Sequence, residues 1–100
     1  MTYSLVDLGA GRFELSGRLD MLNAGEALFA GQKKFAHHDA ISIDLADANC
    51  ASTAGMALLL EWSTWCSANG KQLVYAAVPT RLIDLARLND VEHLLHLTTS

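Results

Sequence analysis

The sequence has few of the residues that mark several protein classes. Cysteine occurs only twice, as Cys50 and Cys66, without a C-x-x-C arrangement, which excludes a disulfide scaffold and favours two buried free thiols. Proline occurs once, and no linker or low-complexity stretch interrupts the chain. No apolar run approaches the roughly 20 residues that a transmembrane helix needs, and no signal peptide is evident. We therefore expect a single domain over residues 1–100, in the cytoplasm.

Charge is also sparse, and its balance is acidic. Lys and Arg number 7 against 11 Asp and Glu, which gives a formal net charge of −4. Proteins that bind nucleic acids or anionic membranes carry a basic patch, so this balance argues against both functions. The signatures of two common enzyme classes are missing too, because the chain has no G-x-S-x-G elbow and no glycine-rich phosphate loop with lysine.

A few polar residues could still carry enzymatic chemistry. His37-His38-Asp39 could ligate a metal, but adjacent histidines project in different directions, so a solvated loop is the simpler interpretation. His93 and His96 could share a helix face but lack a third ligand. We expect Asp44 to end a strand and orient the next loop, and Glu61 to face solvent. The prediction is a protein without catalytic activity, metal or cofactor.

Hydrophobic periodicity and breaker residues predict the order strand, strand, helix, strand, helix, strand, helix, short helix. Asp20 is expected to be the N-cap of the first helix. The strongly apolar last strand is expected to be central and covered on both faces. The fold class is thus α/β, a four- to five-stranded mixed sheet with helices mainly on one face. The predicted strands span 3–8, 12–16, 40–45 and 72–78, and the helices 20–35, 53–69, 79–88 and 91–95.

The helix predicted from Thr53 to Asn69 has three faces on a helical wheel. Its core arc holds a glycine, which allows close approach to the sheet, and five apolar side chains: Gly55, Leu58, Leu59, Trp62, Trp65 and Cys66. Met56 and Leu60 fall outside this arc, on the flank that begins at Thr53. Either neighbouring helices cover them, or they form an exposed apolar patch for a partner protein, with methionine adapting to the partner's shape.

The start of this helix, Ser52-Thr53-Ala54-Gly55, has a chemistry of its own. Free backbone N–H groups at a helix N-terminus favour anions, and Ser52 or Thr53 can cap one of them. A phosphate on Thr53 would lie near these groups and would disrupt an apolar interface around Met56. Thr53 is therefore a plain cap or a cap that also acts as a switch. Binding of a small anion or nucleotide is less favoured, because Lys71 lies at the far end of the helix.

Several segments, taken in order, resemble the STAS domain, the sulphate-transporter and anti-sigma-factor-antagonist module. They are Ile43-Asp44-Leu45, the run from Ser52 to Leu60, Phe13 to Asp20 with its G-x-L-D ending, Asn69 to Leu73, and the Leu82-to-Leu88 helix. The resemblance implies the β-β-α-β-α-β-α layout and places the family's phosphorylatable hydroxyl at Thr53. Ser52 departs from the aspartate that the family usually has before this hydroxyl.

Within the family, Gly55 to Trp62 is most similar to the stand-alone STAS subunit of the bacterial phospholipid-transport ABC system (MlaB-like). This resemblance implies a non-catalytic subunit that binds a cytoplasmic ATPase subunit and supports outer-membrane lipid asymmetry. The binding surface would comprise Ser52, Thr53, Ala54, Gly55, Met56 and Leu60, and the chain would reach the inner membrane only through its partner. The alternative is an anti-sigma-factor antagonist whose motif hydroxyl is phosphorylated by a serine kinase.

Overall fold

The computed structural model of the chain describes residues 2–91 and Leu95. The predicted order of elements is confirmed through the third helix. The short helix predicted at 91–95 falls largely outside the described residues, as do His93 and His96. The elements are β1 (Tyr3–Gly9), β2 (Arg12–Arg18), α1 (Ala24–Phe35), β3 (Ala40–Asn49), α2 (Thr53–Ala68), β4 (Gln72–Ala76) and α3 (Thr80–Leu88).

The four strands form one mixed sheet in the order β1-β2-β3-β4. β1 and β2 form an antiparallel hairpin, whereas β2 with β3 and β3 with β4 are parallel. The prediction that the last strand is central is wrong, because β4 lies at an edge and Val74 is 40 % exposed. The apolar run from residue 72 to residue 78 suggested a central strand, but only its first part is strand. The chain leaves the sheet at Ala77, with φ 53°, and Val78 is buried beyond the strand.

One face of the sheet carries the core, as its alternating side chains require. The buried strand residues are Leu5, Phe13, Leu15, Ile41, Ile43, Leu45, Ala48, Leu73 and Tyr75. The ring centroids of Phe13 and Phe35 lie 5.2 Å apart, and those of Phe35 and Trp62 lie 5.3 Å apart, so α1 and α2 cover this face. Arg12 and Val74 emerge on the other face and are exposed. The helices α1 and α2 therefore lie on one face, as predicted.

β3 is longer than predicted and contains a bulge. Glu14 pairs with Asp44, but Ser16 pairs with Asp47, so β3 holds one extra residue between these pairs. The Asp44 carboxylate accepts a 2.8 Å hydrogen bond from the backbone N–H of Ala46 at the bulge. Asp44 therefore does not end the strand, which continues to Asn49 through the segment predicted as a loop.

The first helix begins later than predicted. The residue before it is Asn23, whose side chain caps none of its N–H groups. Asp20 makes the bonds expected of an N-cap, but one turn earlier: its carboxylate accepts from the N–H groups of Leu22 and Asn23, while its own N–H donates to Oδ1 of Asn23 at 2.9 Å, as in a capping box. The side-chain amide of Asn23 also donates to the carbonyl of Arg18. These bonds fix a compact turn between β2 and α1.

Gly31 sets the distance between α1 and α2. A Cβ at this position would lie 2.5 Å from Nε1 of Trp62, whose ring is fully buried. The same indole N–H donates to the carbonyl of Leu28 at 3.2 Å, which holds the ring against the α1 backbone. The missing side chain thus allows both the hydrogen bond and the packing.

We predict opposite effects for two alanine substitutions in α1. Gly31→Ala should lower the free energy of unfolding by about 2 kcal/mol, because the new methyl group overpacks against Trp62. Gly25→Ala is the matched control: a Cβ there meets nothing within 4 Å, so better helix propensity should raise stability by up to about 1 kcal/mol. Urea denaturation of both variants checks this, and a neutral Gly31→Ala would contradict the packing argument.

Candidate partner-binding site

Ser52 caps α2. Its Oγ accepts a 3.0 Å hydrogen bond from the N–H of Gly55 and donates to the carbonyl of Leu19 at 3.4 Å. Its extended backbone, with φ −148° and ψ 166°, is typical of an N-cap residue. Of the two hydroxyls that could cap the helix, Ser52 therefore does so, and Thr53 lies exposed in the first turn with its hydroxyl outside the capping bond. Serine here preserves the cap that an aspartate would also provide.

Gly55 is buried where α2 meets the end of β3. A Cβ at Gly55 would collide with the backbone and Cβ of Cys50, and the N–H of Ser52 donates to the Cys50 carbonyl at 2.8 Å. The wheel correctly marked Gly55 as a point of close approach, but the contact is with the Cys50 turn. This contact presses the first turn of α2 against the carboxyl end of β3.

Met56 does not belong to an exposed patch. It is 6 % exposed and belongs to the hydrophobic core, while Leu60 is half-buried against that core. The phenol of Tyr75 also donates to the carbonyl of Leu59 at 2.7 Å, which ties α2 to β4. Of the two alternatives, burial therefore holds for Met56 and in part for Leu60, while Thr53 on the same flank is exposed.

Exposed apolar side chains do occur around the start of α2, at positions that the wheel did not include. Met21 and Leu22 project from the β2–α1 turn, and Leu22 is 96 % exposed. The N–H of Leu19 donates to the carbonyl of Asn49, so this turn lies beside the β3–α2 loop. The sequence alone did not indicate their exposure, because these residues lie in a turn and belong to no amphipathic pattern.

On the other side of the α2 start, α3 lines a groove of about 290 Å³. The groove is lined by Ala51, Arg81, Asp84, Leu85 and Leu88, and Leu88 is 84 % exposed. We call Met21, Thr53, Arg81 and Leu88 the α2-start surface. It combines exposed apolar side chains, a free helix start and a cation within one region, a composition typical of a protein-binding patch.

Two arginines lie near the carboxyl ends of the parallel strands, beside the start of α2. Arg81 lines the α3 groove and a neighbouring pocket of about 240 Å³ beside Asn49 and Cys50. Arg18 ends β2 and pairs with Asn49 in the sheet. Sequence reasoning missed these cations because it considered only Lys71, whereas the fold brings residues distant in sequence to the α2 start. Together with the positive end of the α2 dipole, they oppose the chain's overall charge of −4.

The other candidate residues do not assemble into a site. The His38 ring packs edge-on against Phe13 with centroids 5.7 Å apart, and its carbonyl accepts from Nζ of Lys71 at 2.8 Å. Glu61 is exposed, as expected. Among residues 2–91 and Leu95, no group of three or more His, Cys, Asp or Glu side chains could hold a metal ion. In the same part of the chain, no helix is long and apolar enough to cross a bilayer.

Both cysteines are buried free thiols, as predicted. Burial raises the pKa of Cys50 to about 12. Burial also raises the pKa of Cys66 to about 11, and the charge of Lys71 opposes this rise. Each thiol therefore stays neutral at physiological pH and is a poor nucleophile, so the thiol of Cys50, although it adjoins the α2 start, contributes packing.

Comparison with known proteins places this geometry in a family. The family model described as "Mlab, STAS domain" matches residues 7–97. The protein TM1081, solved by NMR, superposes with a TM-score of 0.73 at 14 % identity, over 98 % of this chain and 79 % of that one. The anti-sigma factor antagonist SpoIIAA in its unphosphorylated form gives a TM-score of 0.70 at 8 % identity, over 99 % of this chain and 88 % of its own. No curated protein sequence matches the chain.

The capping hydrogen bond predicts that two substitutions at Ser52 differ in their effect on stability. Ser52→Ala should destabilise the protein by about 1 kcal/mol, because the N–H of Gly55 loses its acceptor. Ser52→Asp should lose less stability than Ser52→Ala, since a carboxylate keeps the cap and suits the helix dipole, although it cannot donate to the Leu19 carbonyl. Thermal unfolding of the two variants checks this order. Equal loss in both would show that the cap is not the determinant.

We also predict that stability falls at alkaline pH. The unfolded chain releases the Cys50 proton near the ordinary thiol pKa of 9.0, whereas the folded protein retains it until about pH 12. The stabilisation is therefore complete below pH 9 and declines above it, by about 1.4 kcal/mol per pH unit for this group. Urea midpoints measured across this range test the slope, which should become shallower in Cys50→Ala.

Proposed function

The chain belongs to the STAS domain family, and on that premise we propose that it is a non-catalytic subunit that binds the cytoplasmic ATPase of a phospholipid-transport ABC system of the Mla type. Through this partner it would support the lipid asymmetry of the outer membrane. The match to the Mlab family model over residues 7–97 carries the proposal. The family is one of regulatory and interaction modules, and no enzyme family is indicated.

The α2-start surface is our proposed docking site. Thr53 is exposed at its centre, with Met21 on the side of the β2–α1 turn and Leu88 on the side of α3. Exposed apolar side chains contribute contact area to protein interfaces, and methionine adapts to irregular partner surfaces. Of the residues expected from the sequence, Ser52, Ala54 and Gly55 would shape this surface, while buried Met56 would support it from below.

Charge at this surface indicates what the partner presents. Arg81 and the free N–H groups of the first α2 turn favour carboxylates. We propose that the ATPase places one or more acidic side chains beside an apolar contact. Because exposed charges steer association, binding should weaken as the salt concentration rises. The chain would act in the cytoplasm and be held at the inner membrane only through this complex.

A second candidate is an anti-sigma-factor antagonist, and one observation favours it. The Thr53 hydroxyl is exposed and takes no part in the cap, so a serine kinase could reach it. A phosphate on Thr53 would lie near the open N–H groups of α2, which would stabilise its charge. The same phosphate would oppose an acidic partner, so phosphorylation would act as a release switch.

Affinity capture from the native host, with intact-mass analysis of the captured chain, separates the two candidates. We expect an ABC ATPase subunit to be recovered with unmodified protein. Recovery of a serine kinase without the ATPase, together with a phosphate on Thr53, would overturn the transport proposal in favour of the second candidate.

Two substitutions on the α2-start surface should weaken binding without unfolding the chain. Thr53→Glu places a carboxylate where the partner's acidic group docks, and Leu88→Asp removes an apolar contact; each should weaken affinity for the purified ATPase at least about tenfold. Circular dichroism should show native melting, because Glu suits the helix start and Leu88 is exposed.

The matched control for this experiment is Leu8→Asp. It makes the same substitution at another exposed leucine, in β1, and it should leave binding unchanged. Met56→Asp is unsuitable as a probe because that side chain is buried and the variant would unfold. Native affinity in both Thr53→Glu and Leu88→Asp would exclude the α2-start surface as the docking site.

A further inference from the structure

The outer face of α1 carries exposed apolar side chains that the core does not explain. Phe29 is 64 % exposed and Leu22, in the turn before the helix, is 96 % exposed. Glu26 and Lys33 lie on the same face and are also exposed. At about 100° per residue, these four residues, which we call the α1 stripe, fall on one side of the helix. The opposite side is buried through Ala27, Gly31 and Phe35.

We propose that the α1 stripe binds the α1 stripe of a second copy of this chain, with the two helices antiparallel and a two-fold axis near Phe29. The charge pattern indicates this occupant. Glu26 and Lys33 lie about two helical turns apart, on opposite sides of Phe29. An antiparallel pair therefore brings Glu26 of each copy against Lys33 of the other, as an isologous contact requires.

The shape of the helix also fits such a pair. Phe29 lies between the two charges, so the rings of both copies meet at the centre of the contact. Gly25, exposed beside Glu26, and half-buried Ala30 have little or no side chain and allow the backbones to approach closely. An apolar centre flanked by paired charges is the usual anatomy of a protein interface.

A membrane surface fits this face less well. Helices that lie on anionic membranes have a basic polar face, whereas here Glu26 sits within the stripe and the chain carries a net charge of −4. Because α1 has only 12 residues, the paired area is small and the dimer is weak, forming at high protein concentration. The α1 stripe excludes Thr53, Arg81 and Leu88, so this proposal does not depend on the proposed function.

Sedimentation velocity of the full chain, over about 10 μM to 1 mM, tests the proposal. We expect a monomer–dimer equilibrium that shifts toward monomer in high salt. Glu26→Lys and Lys33→Glu should each raise the dissociation constant at least about tenfold, because like charges then face each other twice. The double swap, Glu26→Lys with Lys33→Glu, should restore association to within about threefold of the native value.

Two control variants test whether the loss of association comes from the charge pairs between the two copies. Glu61→Lys makes the same change of charge on the exposed side of α2 and should leave association intact. Tyr3→Phe removes the 3.1 Å hydrogen bond from the Tyr3 phenol to Glu26 while keeping the charge, and it should also leave association intact. A native chain that remains monomeric throughout, or a folded double swap that fails to restore the dimer, would overturn the proposal.

Discussion

The site depends on the close contact between the first turn of α2 and the end of β3. Gly55 leaves room for the Cys50 turn, and Ser52 closes the helix while bonding to the carbonyl of Leu19. These contacts join the β2–α1 turn, the β3–α2 loop and α2 in one arrangement. Because the Gly55 N–H bonds to the Ser52 side chain and Gly55 packs on the Cys50 turn, the cap and the glycine together fix where Thr53 emerges.

This constraint explains why the exposed apolar side chains near Thr53 lie around the start of α2 rather than along the helix. Met56 is buried in the core, so the apolar side chains available to a partner come from neighbouring segments. Met21 belongs to the turn held by Asp20, and Leu88 to the last turn of α3. The same packing brings Arg81 to a helix start that appeared, along the sequence, to lack cations.

Much of the fold followed from local patterns. Hydrophobic periodicity and breaker residues predicted the order of elements, and the turn from Ser52 to Gly55 predicted the start of α2. Features set by distant contacts were not predictable: the edge position of β4, the bulge at Asp44 and the burial of Met56 each depend on which element packs alongside. Thr53 is exposed at the start of α2, where the sequence placed the candidate site, but the apolar and cationic side chains around it could be identified only from the tertiary structure.

Hydrogen–deuterium exchange of the chain, alone and with the purified transporter ATPase subunit, tests the central claim most directly. The account predicts slower exchange on binding in three segments that meet at the α2-start surface: residues 20–23, 51–57 and 81–88. It predicts no change at β1 or at the exposed edge of β4. Protection confined to the sheet edges, or no protection in the first turn of α2, would contradict it.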